Sequence, residues 1–194
     1  HLELANNAPA RKLWTVQDPQ VENVRARLAR TFGCAPAEIA ITRNSSEALQ
    51  TCIYGIDLKP GDEVLAADLD YPRMLNTYKQ REVREGIKLK LLPVRVPVQD
   101  LSEIVVSHVV FVTGQVHPVR EIVRLGREHS IPVIVDGAHA FAHVPASRDA
   151  LECDYYGVSL HKWLTAPHGT GFLFVRESKI ESLWPLMASP EPRG

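Results

Sequence analysis

Little in this sequence ties it to a membrane, a nucleic acid or an oxidising compartment. No apolar run in its 194 residues approaches the roughly 20 residues that a bilayer span needs. Neither sign of charge is in excess: 22 Lys and Arg stand against 23 Asp and Glu, so there is no basic field for nucleic acid and no polybasic stretch for a membrane surface. Cysteine is scarce. Cys34, Cys52 and Cys153 lack metal-type spacing and leave one thiol over from any pairing, which sets the expectation of a reduced, cytoplasmic protein. The opening His1-Leu2-Glu3-Leu4 does not read as the charged-then-apolar start of a secretory leader, and His1 reads as a tag remnant or the start of a fragment. Neither a GxGxxG loop nor a P-loop is present. Internal repeats and long linkers are also missing, so residues 1–194 are expected to form one domain with a sizeable core.

What is there alternates between strand-like and helix-like stretches. Asn6-Asn7-Ala8-Pro9 reads as a loop. From Gln20 to Phe32, Val21, Val24, Leu28 and Phe32 recur at helical spacing, with Gly33 as a stop. Glu38–Thr42 reads as a strand. Asn44-Ser45-Ser46-Glu47 opens a helix to about Ile56. A strand at Glu63–Ala67, a polar helix from Tyr71-Pro72 to Glu85 closed by Gly86, and a strand at Lys88–Val94 follow. Ile104–Thr113 is a long β-rich run. Pro118 to about Ser130 is amphipathic, and Ile131–Val135 is wholly apolar, as expected of a strand buried on both faces of a parallel sheet. Asp154–Leu160 and Gly171–Val175 read as strands, and Ser178–Met187 as a helix interrupted by Pro185. This pattern predicts an α/β fold with a mainly parallel sheet.

Ligands of open α/β sheets bind beyond the carboxyl ends of the strands. The residues that follow each strand are therefore the candidates: Asn44-Ser45-Ser46, Asp68 to Tyr71, Thr113-Gly114-Gln115, Asp136 to His139 and Ser159 to Lys162. Lys162 lies between an apolar run and a Gly-rich turn. An amine there is either a solvated head on a buried stem or, when desolvated, an uncharged nucleophile able to form a Schiff base with a carbonyl. Ser45 and Ser46 are either a helix cap or an anion cradle at the helix start. Asp136 closes a fully apolar strand, as a turn residue or as a carboxylate with a cationic partner. Tyr71 either packs or stacks on a planar ligand. His139 and His143, four apart on a helix-like stretch, are either locally hydrogen-bonded or metal ligands.

Taken in chain order, an anion-seating helix start, an aromatic, a strand-end Asp and a Schiff-base-capable Lys are what a pyridoxal phosphate cofactor requires. At these residues the sequence resembles the class V aminotransferase family of fold type I pyridoxal-phosphate enzymes, with the isopenicillin N epimerase-like branch, related to cysteine desulfurases, nearest. The matching motifs are Ile41–Leu49, Leu58–Val64, Asp70–Met74, Thr113-Gly-Gln115 with Pro118–Ile122, Val135-Asp-Gly-Ala-His139, Cys153-Asp-Tyr-Tyr156, Ser159-Leu-His-Lys162 and Gly169-Thr-Gly-Phe172. Together they run from about Trp14 to about Pro190.

The resemblance implies a fold type I large domain with helices on both faces of the sheet. It also implies a lysine, Lys162, that holds the cofactor and shuttles the substrate's α-proton. Asp136 would pair with the pyridine nitrogen and His139 would lie near the ring's phenolic oxygen. Ser45, Ser46, Ser159 and His161 would bind the phosphate, and Tyr71 would cover the ring. The turn around His168 to Thr170 would reach the phosphate of a partner subunit in a homodimer. The substrate is expected to be an amino acid, in an epimerase, aminotransferase or lyase type of reaction. Family members are about twice as long and carry a C-terminal small domain with a carboxylate-binding arginine, a domain expected to be missing here. Asn7–Arg11 and Gln99–Ile104 look shortened, Phe111 stands where relatives tend to have a polar residue, and no cysteine follows Cys153, which disfavours desulfuration. Two rival expectations stand beside this one. One is a cofactor-binding but inactive partner protein. The other is a metal hydrolase built on Asp136, His139, His143 and His161.

Overall fold

The computed structural model describes residues 12–92 and 101–188. The expected loop at Asn6–Pro9, the shortened segment Asn7–Arg11, the ends of two expected stretches at 93–94 and 99–100, and the last residues of the motif region lie outside the described residues. Helices α1 (Asp18–Phe32), α2 (Ser45–Gly55), α3 (Pro72–Glu85), α4 (Val119–Glu128), α5 (Arg148–Leu151) and α6 (Glu177–Ile180) alternate with strands β1 (Ile39–Thr42), β2 (Glu63–Ala67), β3 (Lys88–Leu92), β4 (Leu101–Ser107), β5 (Val133–Asp136), β6 (Tyr155–Ser159) and β7 (Gly171–Val175). The strands form one sheet in the order β1-β7-β6-β5-β4-β2-β3. Pairing is parallel from β3 through β6, whereas β7 runs antiparallel to both β6 and β1.

Period-two side-chain alternation splits the apolar runs between two cores. Ile104, Val106, Val133, Val135, Tyr156, Val158, Phe172 and Phe174 meet α1 and α4 through Leu28, Ala29, Phe32, Val119 and Val123. Val105, Ile134, Tyr155, Leu173 and Val175 point the other way and meet α2 and α3 through Leu49, Cys52, Ile53, Met74 and Tyr78. Every residue of β5, β6 and β7 is therefore buried. That is why these strands read as unbroken apolar runs rather than as alternating ones.

Four expectations change. Glu38 belongs to a short 3-10 turn, Pro36–Glu38, and β1 begins only at Ile39. The Glu38 carboxylate is held by the amides of Ala35 (2.9 Å) and Glu177 (3.1 Å) and by Arg148 (3.4 Å). The run Ile104–Thr113 leaves the sheet at Ser107. Its continuation folds into a loop closed by a Val109–Val116 bridge, with the Gly114 amide on the Val110 carbonyl. The stretch around His139 and His143 is a series of turns, not a helix. The last expected helix is confined to Glu177–Ile180, after which the Trp184 amide bonds the Gly55 carbonyl instead of a helical partner.

Register brings the candidate residues together. Thr42 pairs with Gly171, Gly171 with Ser159, Asp136 with Gly157, and Ser107 with Asp136. The carboxyl ends of β1, β6, β5 and β4 and the start of β7 thus share one edge of the sheet.

Candidate active site

Asn44, not a serine, caps α2: its side chain accepts the Glu47 amide at 2.9 Å. Ser45 and Ser46 are consequently the first two helical residues, where amides lack intrahelical acceptors and the helix dipole favours an anion. The buried Ser45 amide donates to Ser159 Oγ (2.8 Å), and Ser159 Oγ donates in turn to Ser45 Oγ (2.8 Å). This order leaves the Ser45 hydroxyl proton for an acceptor outside the pair. Ser46 is half-buried beside it. Gly171 makes the approach possible: a Cβ there would stand 2.5 Å from the Val158 carbonyl and 2.7 Å from the Asn44 Cα. His161 contributes a buried Nδ1 without a partner among the described residues, its ring 4.9 Å from that of His168. Thr170 lies beside the end of β6, its carbonyl accepting the Leu160 amide (3.0 Å). Its hydroxyl donates to the Pro167 carbonyl (2.6 Å), which ties it to its own turn rather than to the serines.

Asp136 ends β5 with 8 % of its surface exposed. Burial pushes its carboxyl up to about 6. The Ala138 amide, 2.8 Å from Oδ1, and the Lys162 charge pull it down, and the charge of Asp70 adds to the rise. Lys162 is half-buried in the loop after β6, its Nζ 2.8 Å from His139 Nε2 and 5.9 Å from the centre of the Tyr71 ring. Burial holds the ammonium below its ordinary range, against the opposing pull of Asp136. His139 is also lowered, by burial first and then by Lys162 and His143. Tyr71 stands edge-on to Phe111 at 5.5 Å, and Phe111 lies 6.5 Å from the His139 ring.

Lys162, Asp136, His139, Tyr71, Ser45, Ser46, Ser159 and His161 therefore gather at one sheet edge, with Thr170 adjoining through its backbone while its hydroxyl is bonded within its own turn. Reading by residue type leaves three contributors without a role. Asp70 accepts the amides of Ala67 (2.9 Å) and Ser107 (2.8 Å), locking the Tyr71 loop to the end of β4. Trp163 donates to His139 Nδ1 (3.4 Å). Tyr156 fills the space beneath Gly137, where a Cβ would meet its ring at 2.2 Å. Asp70 lies within the candidate stretch Asp68 to Tyr71 and Trp163 adjoins Lys162, but nothing in their spacing marks the contacts. As for a metal centre, no group of three or more His, Cys, Asp or Glu side chains among the described residues is arranged to hold an ion. His143 Nδ1 is instead engaged with the His139 carbonyl (3.0 Å).

A mainly parallel sheet with a half-buried lysine, a strand-end carboxylate and a hydroxyl-lined helix start defines the large domain of a fold type I pyridoxal-phosphate protein. The chain belongs to the aminotransferase class-V family, whose model matches residues 5–191. It is 31% identical over 180 residues to an isopenicillin N epimerase of Streptomyces clavuligerus, covering 85% of this chain and 45% of that one. It is 33% identical over 177 residues to a probable cysteine desulfurase of Pseudomonas aeruginosa, covering 84% and 44%. The chain thus spans about half the length of the curated relatives it matches. Among solved structures it superposes with a TM-score of 0.81, at 26% identity and over 100% of this chain and 60% of the other, on a complex of the cystine C-S lyase C-DES with its reaction product cysteine persulfide. A C-DES mutant with glycine covalently linked to its PLP cofactor gives a TM-score of 0.80 at 26% identity, covering 93% and 52%. Pyridoxal phosphate is the cofactor these likenesses indicate. The residues present fit it: the Ser45–Ser159 pair and the orphaned His161 Nδ1 suit a phosphate, and the half-buried Lys162 amine suits an aldehyde.

Proposed function

We propose that the protein works with pyridoxal phosphate at the α-carbon of an amino acid, through Lys162. One observation carries the reading: the Lys162 amine is withdrawn from water and faces His139 Nε2 at 2.8 Å, behind a strand-end carboxylate. When bound, the cofactor supplies a pyridine ring that delocalises the electron pair left by the α-proton. Lys162 would hold the cofactor's aldehyde, and its Nζ would take up and return the substrate's α-proton. Asp136 would hold a proton on the ring nitrogen. His139 would donate to the ring's phenolic oxygen, and Tyr71 would cover one face of the ring. Ser45, Ser46, Ser159 and His161 would grip the phosphate. Return of the proton to either face of the α-carbon would make an epimerase, its relocation away from that carbon an aminotransferase, and loss of a β-group a lyase; the named relatives include an epimerase and a lyase.

We further propose that the chain acts as one cofactor-binding unit within a homodimer, the exposed turn at residues 167–169 carrying Thr170 towards the partner's site. The three free cysteines support a reducing compartment such as the cytoplasm. The test is a spectral titration of the protein with pyridoxal phosphate and then with a panel of amino acids. Wild type is expected to develop a visible band that individual amino acids perturb. Lys162→Ala is expected to bind the cofactor without the covalent band. A band of equal strength in Lys162→Ala would remove the lysine from this role.

A further inference from the structure

The indole next to Lys162 takes no part in the assignments above, yet it touches the residue that faces the amine. Trp163 is 47% exposed, and its Nε1–H points at His139 Nδ1 over 3.4 Å. An indole nitrogen can only donate. His139 Nδ1 is therefore an acceptor, and the neutral imidazole carries its proton on Nε2. That proton is aimed at Lys162 Nζ, 2.8 Å away. An ammonium has no lone pair, so only the uncharged amine can accept it. The opposite arrangement, an ammonium donating to an unprotonated Nε2, would put the proton on Nδ1, facing the indole N–H donor to donor. The indole is also clamped from behind. His143 stacks on it with ring centres 3.7 Å apart and planes 10° from parallel, and His143 Nδ1 bonds the His139 carbonyl at 3.0 Å. A closed loop of contacts, His139 to His143 to Trp163 and back to His139, thus fixes the direction of the donor.

We propose that Trp163 is a positioning residue that sets the tautomer of His139 and, through it, holds Lys162 as the free amine. The other groups facing the amine divide. Asp136 at the end of β5 and the Tyr71 ring at the start of α3 favour the ammonium, while Asp70 behind Asp136 acts on that carboxyl and raises it. Burial opposes it, and His139 and His143 are the titratable groups on the turn that faces the amine. The directed hydrogen bond from His139 tips this balance.

The consequence rests on Lys162 being the nucleophile, but the tautomer itself is independent of any cofactor, and the experiment separates the two. The protein, free of added pyridoxal phosphate and carrying nitrogen-15 histidine, is examined by long-range proton–nitrogen correlation, with His139→Gln identifying the signal. In parallel, trace acetylation by acetic anhydride across pH, read by peptide mass spectrometry, compares Lys162 with exposed Lys59. Wild type is expected to show the Nε2–H form at His139. Trp163→Phe keeps the ring and its stack but loses the donor. It is expected to populate the Nδ1–H form and to lower the reactivity of Lys162 at neutral pH by about two- to tenfold, the worth of one hydrogen bond. An Nδ1–H form in wild type, or no change in tautomer and reactivity in Trp163→Phe, overturns the proposal. Failure of wild type to attach pyridoxal phosphate would sink the functional reading while leaving this result intact.

Discussion

Gly137 follows the strand-end carboxylate directly, and the ring of Tyr156 occupies the volume a side chain would need. Tyr156 in turn stacks on Phe32 at 5.0 Å, and its hydroxyl is 3.1 Å from His108 Nδ1, so it has nowhere to go. Gly137→Ala is expected to cost about 1–3 kcal/mol, as overpacked cores do, read as a fall in the urea midpoint. Adding Tyr156→Leu should restore part of that loss. An unchanged midpoint in Gly137→Ala would mean that the turn carrying Asp136 does not rest on Tyr156. Residues such as Asp136 and Lys162 were legible in the sequence because they interrupt apolar runs at strand ends. The roles of Gly137, Tyr156 and Trp163 were not, because each depends on a contact between separate loops or adjacent strands that leaves no period in the chain.

Helix α2 begins where the site begins, so its cap is both a structural and a functional device. Removing the Asn44 side chain frees the Glu47 amide and loosens the first turn that presents Ser45. Asn44→Ala is expected to lower stability by about 1 kcal/mol and to weaken phosphate-dependent binding of pyridoxal phosphate relative to pyridoxal. Equal weakening of both ligands would show that α2 does not seat the phosphate. The helices from Asp18 and Pro72 were legible to within a few residues, since the first carries an apolar stripe, the second opens at Tyr71-Pro72, and they end at Gly33 and Gly86. The loop after β4 was not. Val109, Val110, Phe111 and Val112 have strand propensity, but the strand stops where the Ser107 amide is taken by Asp70, and Phe111 turns out to face Tyr71. Propensity describes the residues of that run and not the partner that claims the backbone.

Across the whole molecule, the sheet buries an acid that the site does not use. Glu103 is 0% exposed on β4, between α2 and α3. Its Oε1 accepts from the Tyr78 hydroxyl, and its Oε2 lacks a partner among the described residues. Burial pushes this carboxyl up to about 8, while Tyr78 and Arg81 pull it down. A raised acid keeps its proton in the fold after the unfolded chain has lost it. Stability is therefore fully present below the ordinary value of 4.5, declines as pH rises, and levels off above about 8. The slope approaches about 1.4 kcal/mol per pH unit within that window. Wild type is expected to lose stability relative to Glu103→Gln across it, measured by urea unfolding at several pH values, and parallel curves for the two proteins would show that Glu103 is ionised in the fold. The α/β class and the parallel core of the sheet were legible from the alternation of elements. The reversal of β7 was not, because a fully buried strand carries the same apolar signature in either direction.

The account depends on one half-buried amine meeting one aldehyde. Borohydride reduction of the protein with pyridoxal phosphate, followed by digestion and mass spectrometry, tests it most directly. The phosphopyridoxyl group is expected on Lys162, within the Ser-Leu-His-Lys peptide, and on no other lysine at comparable yield. Label spread over surface lysines such as Lys59 and Lys88, with Lys162 unmodified, would contradict it.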